Sequence, residues 1–159
     1  MEKIKICLIS CVSQKTNYPT KCKDLYISPL FKKTWNYVRD IEKPQGVYIL
    51  SALHGLIRYD VMVKPYDKTL LDMSKEESLE WAEKVKKQIT ETFVKDGKTL
   101  KDFEFVVFAG SKYYENLKEF FETESTFTLP LGSLPIGKRL GALTNALNSG
   151  KKIRWEDYK

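Results

Sequence analysis

Long apolar runs are missing from this chain, histidine occurs once, and cysteine is confined to three positions near the start. No stretch approaches the roughly 20 consecutive apolar residues that span a bilayer, so no transmembrane helix and no membrane partner are expected. The opening MEKIKICLISC is interrupted by Lys3 and Lys5 and lacks the unbroken apolar core of a secretory signal. A cytoplasmic protein is therefore expected. Cys7, Cys11 and Cys22 are odd in number and crowded together, unlike a secreted disulfide framework, which points to reduced thiols. They do not form the C-x2-C pairs of a zinc site or the four thiolates of an iron–sulfur cluster, so neither metal nor cofactor is expected. Internal repeats, low-complexity tracts and interdomain linkers are also missing.

What is present is the material of one soluble domain. The chain has 159 residues, 42% hydrophobic and 30% charged, enough for a single core over residues 1–159. Its net charge of +6 is unevenly spread. Residues 1–46 carry nine Lys/Arg against four Asp/Glu, residues 131–159 carry six against two, and the middle is net acidic. If the two ends meet in space they form a positive face suited to phosphates or nucleic acid. Charge alone fits a solvated lysine-rich surface equally well.

Periodicity gives alternating strands and helices. KIKICLIS reads as a first strand, followed by a helix with Ser28 as N-cap, Pro29 at its first position and Phe31, Trp35, Val38 and Ile41 on one stripe. GVYILSA reads as a second, buried strand. Ser74 and Glu77 form a capping box that opens a long helix with Leu79, Ala82, Val85, Ile89 and Phe93 facing the core. FEFVVFAG is a third strand, Ser111 a candidate cap for the helix KYYENLKEFF, and FTLPL a short fourth strand. A last helix over 135–148 turns Ile136, Leu140, Leu143 and Leu147 inward and ends at Gly150. The pattern predicts an α/β fold, a three-layer α/β/α arrangement around a mainly parallel four-stranded sheet.

In open parallel sheets ligands sit beyond the carboxyl ends of the strands. This places the ligand face on residues 10–24, 51–73, 110–112 and 129–138. Two of these connections exceed the roughly 12 to 15 residues beyond which loops are uncommon in compact domains, which marks them as functional or disordered. On this face Cys11, Ser13, Lys15, Ser111, Lys112, Lys138 and Arg139 are candidate substrate-binding residues. The run GSLPIGK has P-loop glycine and lysine spacing, but Arg139 replaces the hydroxyl residue that would hold magnesium and a proline interrupts the loop. Nucleotide hydrolysis is thereby rejected, and what remains is phosphate binding by Lys138 and Arg139 in the first turn of a helix, or close helix packing through Gly137 and Gly141.

His54 follows the second strand and is placed to act as acid, electrophile or partner of Cys11, with a structural role the alternative. Asp24 and Asp67 each lie beside a tyrosine, in KDLYISP and KPYDKTL. A carboxylate next to a ring can activate water or stabilise a cationic sugar carbon while the ring stacks on a base; capping of loop N–H groups is the alternative reading.

Six motifs, in order, carry a family resemblance. They are C-x-S-x-K at Cys11, Ser13 and Lys15; K-D-L-Y-x-S-x-L-F over 23–31; I-L-S-A-x-H-G-L over 49–56; P-Y-D-x-x-L over 65–70; A-G-x-x-Y over 109–113; and P-L-x-x-L-P-I-G-x-R-L over 130–140. With them the chain resembles the YaaA-like family of bacterial and phage domains. The resemblance implies a uracil-DNA-glycosylase-like fold and an enzyme acting at nucleobases, although the water-activating and histidine-containing motifs of uracil glycosylases are missing. On this basis the expected function is removal or exchange of an unusual or modified nucleobase by an N-glycosylase, with nucleic acid, DNA ahead of RNA, as partner. Asp67 or Asp24 would assist attack at the sugar, Tyr66 or Tyr26 would stack on the base, and His54, Ser51 or Lys15 would stabilise the departing base. Non-catalytic nucleic-acid binding and turnover of free nucleosides or nucleotides are the alternatives.

Overall fold

The structure, a computed structural model, describes residues 2–132, 134–154 and 157. Ser133, inside the GSLPIGK run, lies outside the described residues. Strand β1 (Ile4–Ser10) leads through a short strand β2 (Thr20–Lys21) and a one-turn helix α1 (Cys22–Leu25) into helix α2 (Pro29–Tyr37). As expected, Ser28 caps α2, its Oγ accepting the Phe31 N–H at 3.1 Å. A π-helical turn over Val38–Glu42 closes on Lys43, and strand β3 (Gly46–Ser51) follows.

Strand β3 turns straight back as β4 (Gly55–Arg58), and β5 (Met62–Val63) precedes the long helix α3 (Lys75–Phe93). Strand β6 (Phe103–Phe108), two short helices α4 (Ser111–Tyr114) and α5 (Lys118–Glu124), strand β7 (Thr126–Thr128) and helix α6 (Ile136–Ser149) complete the chain. The main sheet has the order β4-β3-β1-β6-β7, parallel except for the β3–β4 pair. The sheet therefore has five strands, not four. The added strand forms within a segment that reads as loop, because Gly55 adopts a left-handed φ of 71° and reverses the chain after only three residues.

Side-chain alternation along β6 shows which helices lie on which face. Phe103 and Phe105 point to α3, meeting Phe93 at ring distances of 5.0 and 5.4 Å, and Phe105 also meets Phe121 of α5. Phe108, of opposite parity, meets Tyr37 of α2, and α2 packs on α6, where Lys33 bonds the Thr144 hydroxyl. The molecule is thus an α/β fold with a mostly parallel sheet flanked by helices on both faces, consistent with three layers. The α2–α6 contact brings the two basic ends of the chain together. Among the described residues no helix is long and apolar enough to cross a membrane.

Helix α3 carries the expected capping box, Ser74 with Glu77. Its buried face differs from expectation: Leu79 is exposed, while Ser78 and Trp81 are buried. Trp81 turns inward because its Nε1–H donates to the Ser51 carbonyl at 2.9 Å, a partner 30 residues away in sequence. Ser111 is the first residue of α4 rather than its cap, and Ile136 is exposed rather than inward. Gly150 ends α6 in the left-handed conformation, as expected.

The β3–β4 turn is clamped by Gln88 of α3, whose Oε1 accepts from Leu56 N–H at 2.8 Å and whose Nε2 donates to the His54 carbonyl at 3.0 Å. A Cβ at Gly55 would stand 2.2 Å from that Oε1. Gly55→Ala is expected to destabilise the protein by about 2–4 kcal/mol, from left-handed backbone strain plus two weakened hydrogen bonds. Urea unfolding of the two proteins checks this, and a loss below about 1 kcal/mol would mean that the clamp does not hold the turn.

Candidate functional site

The order of the strands dictates where the sheet opens. From β1 the chain passes to α2 on one face, and from β6 it passes to α4 and α5 on the other, so the loops leaving these adjacent strands part above their carboxyl ends. A cleft of about 590 Å³ lies there. Cys11, Ser13 and Gln14 after β1 form one wall, and Gly110, Ser111, Lys112 and Tyr113 after β6 form another. Thr69 and Leu71 ahead of α3, Ser28 and Leu30 of the α2 start, and Arg139 and Leu140 of α6 complete it.

Two long connections reach this cleft, and they are ordered against each other. The β2 and β5 strands pair antiparallel, and Cys22 N–H and Lys23 N–H donate to the carbonyls of Val61 and Tyr59 at 2.8 and 2.9 Å. Below this small sheet runs a chain of hydroxyls. Tyr26 and Tyr66 share a hydrogen bond of 2.6 Å, Tyr66 and Ser51 one of 2.7 Å, and Ser51 Oγ also accepts the His54 N–H at 3.1 Å. Cys11 adds a parallel link, its Sγ 3.2 Å from Tyr113 Oη and accepting the Ala52 N–H at 3.4 Å.

These contacts decide the standing of several expected site residues. Ser51 is 0% and Tyr26 1% exposed. Both are buried, with their hydroxyls occupied, which gives Tyr26 no open ring for a base and Ser51 no open hydroxyl for a leaving group. Tyr66 is half-buried, and the Lys15 ammonium stands 4.4 Å above its ring. His54 packs edge-on against the same ring at 5.6 Å. Its pKa is lowered, first by burial and then by the Lys84 charge, so its imidazole is neutral near pH 7.

Asp24 and Asp67 do not share a hollow. Asp24 is ion-paired with Lys23 at 2.9 Å and lines a separate depression beside Lys32 and Trp35. Asp67 is exposed, two residues ahead of Thr69 on the loop that walls the cleft, but does not itself line the cleft. Among the other expected binding residues, Cys11, Ser13, Ser111, Lys112 and Arg139 line the cleft, whereas Lys138 is exposed outside it. Sequence reasoning missed Gln14, Thr69 and Leu140 as cleft residues. Ser28, read as a helix cap and motif position, and Tyr113, read as a motif position, both line the wall.

Arg139 is the distinctive charge of the site. Its Nε donates to the Leu134 carbonyl at 2.6 Å, and one terminal nitrogen lies 3.9 Å from where a Gly110 side chain would begin. Burial lowers its pKa, which measures the cost of withdrawing a guanidinium from water. Among the described residues no carboxylate pairs with it, and no carboxylate lines the cleft. Among the same residues no group of three or more His, Cys, Asp or Glu is placed to hold a metal ion.

The hydroxyl chain makes a pH prediction. Burial raises the pKa of Tyr26, Tyr66 and Tyr113 above the ordinary 10.0, and pushes the Cys22 thiol from 9.0 up to about 12. Each group holds its proton more tightly folded than unfolded. The stability they contribute is complete below their unfolded values and is lost as pH climbs through 9.0 and then 10.0 toward the folded ones. The unfolding free energy from urea titration is expected to be level up to about pH 8 and to fall above it, by about 1.4 kcal/mol per pH unit for each proton involved. Tyr66→Phe is expected to cost about 1–3 kcal/mol at neutral pH and to make the alkaline fall shallower by one proton. An unchanged slope would remove Tyr66 from the titrating chain.

Comparison with curated proteins gives no match, nor does comparison with solved structures. Residues 6–145, which contain every residue lining the cleft, match a family of unknown function (DUF6884), and the chain belongs to that family.

Proposed function

We propose that the protein takes one nucleotide unit of a nucleic acid into the cleft between β1 and β6 and acts at its base, cleaving the N-glycosidic bond of an unusual or modified nucleobase. The observation that carries this reading is Arg139, a partly buried guanidinium that faces the cleft and has no carboxylate partner among the described residues. A charge withdrawn from water without a counter-ion is costly, and an anionic ligand that supplies the counter-ion recovers that cost. Lys112, Ser13 and Ser111 are placed to share a phosphate with it, and the cleft volume falls within the range of sites for small ligands. Leu30, Leu71, Ile136 and Leu140 provide apolar wall for a flat base.

The meeting of the two basic ends through α2 and α6 supports a polymeric anion as the source of that unit. The resemblance of the six motifs to the YaaA-like proteins, and through them to the uracil-DNA-glycosylase-like fold, supports chemistry at the base. In this reading Asp67, on the loop that leads to Thr69, accepts a proton from water as the oxygen attacks the sugar carbon, and releases it to solvent. The carbon–nitrogen bond breaks, its electron pair leaves with the base, and the base takes up a proton. A second reading, binding without catalysis, is favoured by one specific observation: among the described residues no carboxylate lines the cleft.

Two measurements test the proposal. Arg139→Ala is expected to weaken binding of a nucleoside monophosphate by about 30- to 100-fold, the worth of a desolvated charge-assisted contact, while Arg139→Lys keeps part of it. Equal binding by wild type and Arg139→Ala would overturn the phosphate assignment. Incubation with DNAs containing ordinary and modified bases, read by mass spectrometry for released base, is expected to show turnover that Asp67→Asn abolishes while leaving affinity within about twofold. Release of no base from any substrate would leave the binding reading in its place.

A further inference from the structure

A second hollow, of about 400 Å³, opens where the cleft ends. The two are divided by a ridge in which the chain on either side of Lys15 pairs with the chain around Tyr26: Ile27 N–H donates to the Gln14 carbonyl at 3.0 Å and Thr16 N–H to the Leu25 carbonyl at 2.9 Å. Gln14 and Ser28 face the cleft, whereas Thr16 and Ile27 face the hollow. The hollow differs from the cleft in the exposure of its aromatic surface, since Tyr113 in the cleft wall is buried. Tyr18, 58% exposed, and the partly exposed Trp35 supply aromatic surface, and Lys23, Lys32 and Arg39 surround them with positive charge. Lys23 is neutralised by Asp24 and Arg39 by Asp40, but among the described residues Lys32 has no carboxylate within ion-pair distance.

We propose that this hollow holds a neighbouring nucleotide of the same strand, so that the protein engages single-stranded nucleic acid over two adjoining subsites. The inference rests on the cleft binding a nucleotide unit. Rings flanked by cations in a concave site suit an unpaired base with its phosphate, because stacking on an aromatic face tolerates every base while the ammonium groups follow the backbone. A duplex buries the faces of its bases and presents none to such a ring. Tyr18 is the clearest determinant, since it is exposed and makes no side-chain hydrogen bond among those described. Lys32 is the free charge beside it.

Affinities for a mononucleotide, a tetranucleotide and a blunt eight-base-pair duplex, each by fluorescence or calorimetric titration, test the inference. The tetranucleotide is expected to bind at least about tenfold more tightly than the mononucleotide, and Tyr18→Ala and Lys32→Glu are each expected to lose about 5- to 30-fold of tetranucleotide affinity. Both variants keep mononucleotide affinity within about twofold, because neither residue touches the cleft. Equal binding of mono- and tetranucleotide, an equal loss for both ligands in the variants, or a duplex that competes as well as the single strand would each overturn it. Arg139→Ala separates the two readings. If Tyr18→Ala is silent while Arg139→Ala weakens the mononucleotide, the hollow fails and the cleft stands; if tetranucleotide binding responds to Tyr18→Ala but not to Arg139→Ala, the cleft fails and the hollow stands.

Discussion

The shared hydroxyl of Tyr66 is the constraint on which the ligand face depends. It lies between Tyr26, from the connection after β1, and Ser51, at the end of β3. One oxygen thereby joins two long segments to the end of β3. The second tether, the two-stranded β2–β5 sheet, is too short to hold on its own. Because the phenols are buried, each hydrogen bond is strong and each loss leaves a hydroxyl without a partner in a low-dielectric setting. The energetic weight of the network lies in that penalty more than in the bonds themselves.

From this constraint the shape of the cleft follows. With the loops tied down on the β3 side, the divergence of the chains leaving β1 and β6 stays open, and Thr69 and Leu71 become one wall of it. Tyr113 couples the wall after β6 to the sheet through Cys11, so the network extends from the β3 turn to the first turn of α4. Arg139 then enters from α6, across a surface to which no described residue contributes an acid. The local electrostatics are therefore set by what is missing from the wall as much as by the guanidinium. Had any of the carboxylates of the acidic middle of the chain faced inward here, Arg139 would form an internal ion pair and the cleft would offer an anion nothing.

Elements governed by local rules were legible in the sequence. Ser28 with Pro29, Ser74 with Glu77, and Gly150 mark helix ends through contacts spanning only a few residues, and all three are realised. The parallel strands β1, β3 and β6 were legible as apolar runs. Elements governed by distant partners were not. The β4 strand depends on Gln88 reaching the turn from α3, and Trp81 displaces Leu79 from the core because the Ser51 carbonyl awaits its indole N–H. The β2–β5 pairing joins segments some 40 residues apart, each only two residues long, below what periodicity can register.

The candidate site shows the same division in its chemistry. Tyrosine beside aspartate suggested two catalytic pairs, yet the tyrosines of both motifs turn inward to bond each other, and the aspartates, next in sequence or nearly so, turn to solvent. For Tyr66 and Asp67 the backbone accounts for this, because adjacent side chains in extended chain point to different sides; Asp24 instead sits in the one-turn helix α1 and pairs with Lys23. The motifs that made Tyr26 and Tyr66 conspicuous thus encode the tether, and burial leaves Tyr26 no open ring for a base. Residues with plainer credentials, Ser13, Ser111, Lys112 and Arg139, form the cleft because they sit on the divergent ends of β1 and β6 and on the helix that packs beside them. Position relative to the point where the sheet's connections part, more than the reactivity of a side chain, determines which residues a ligand there can meet.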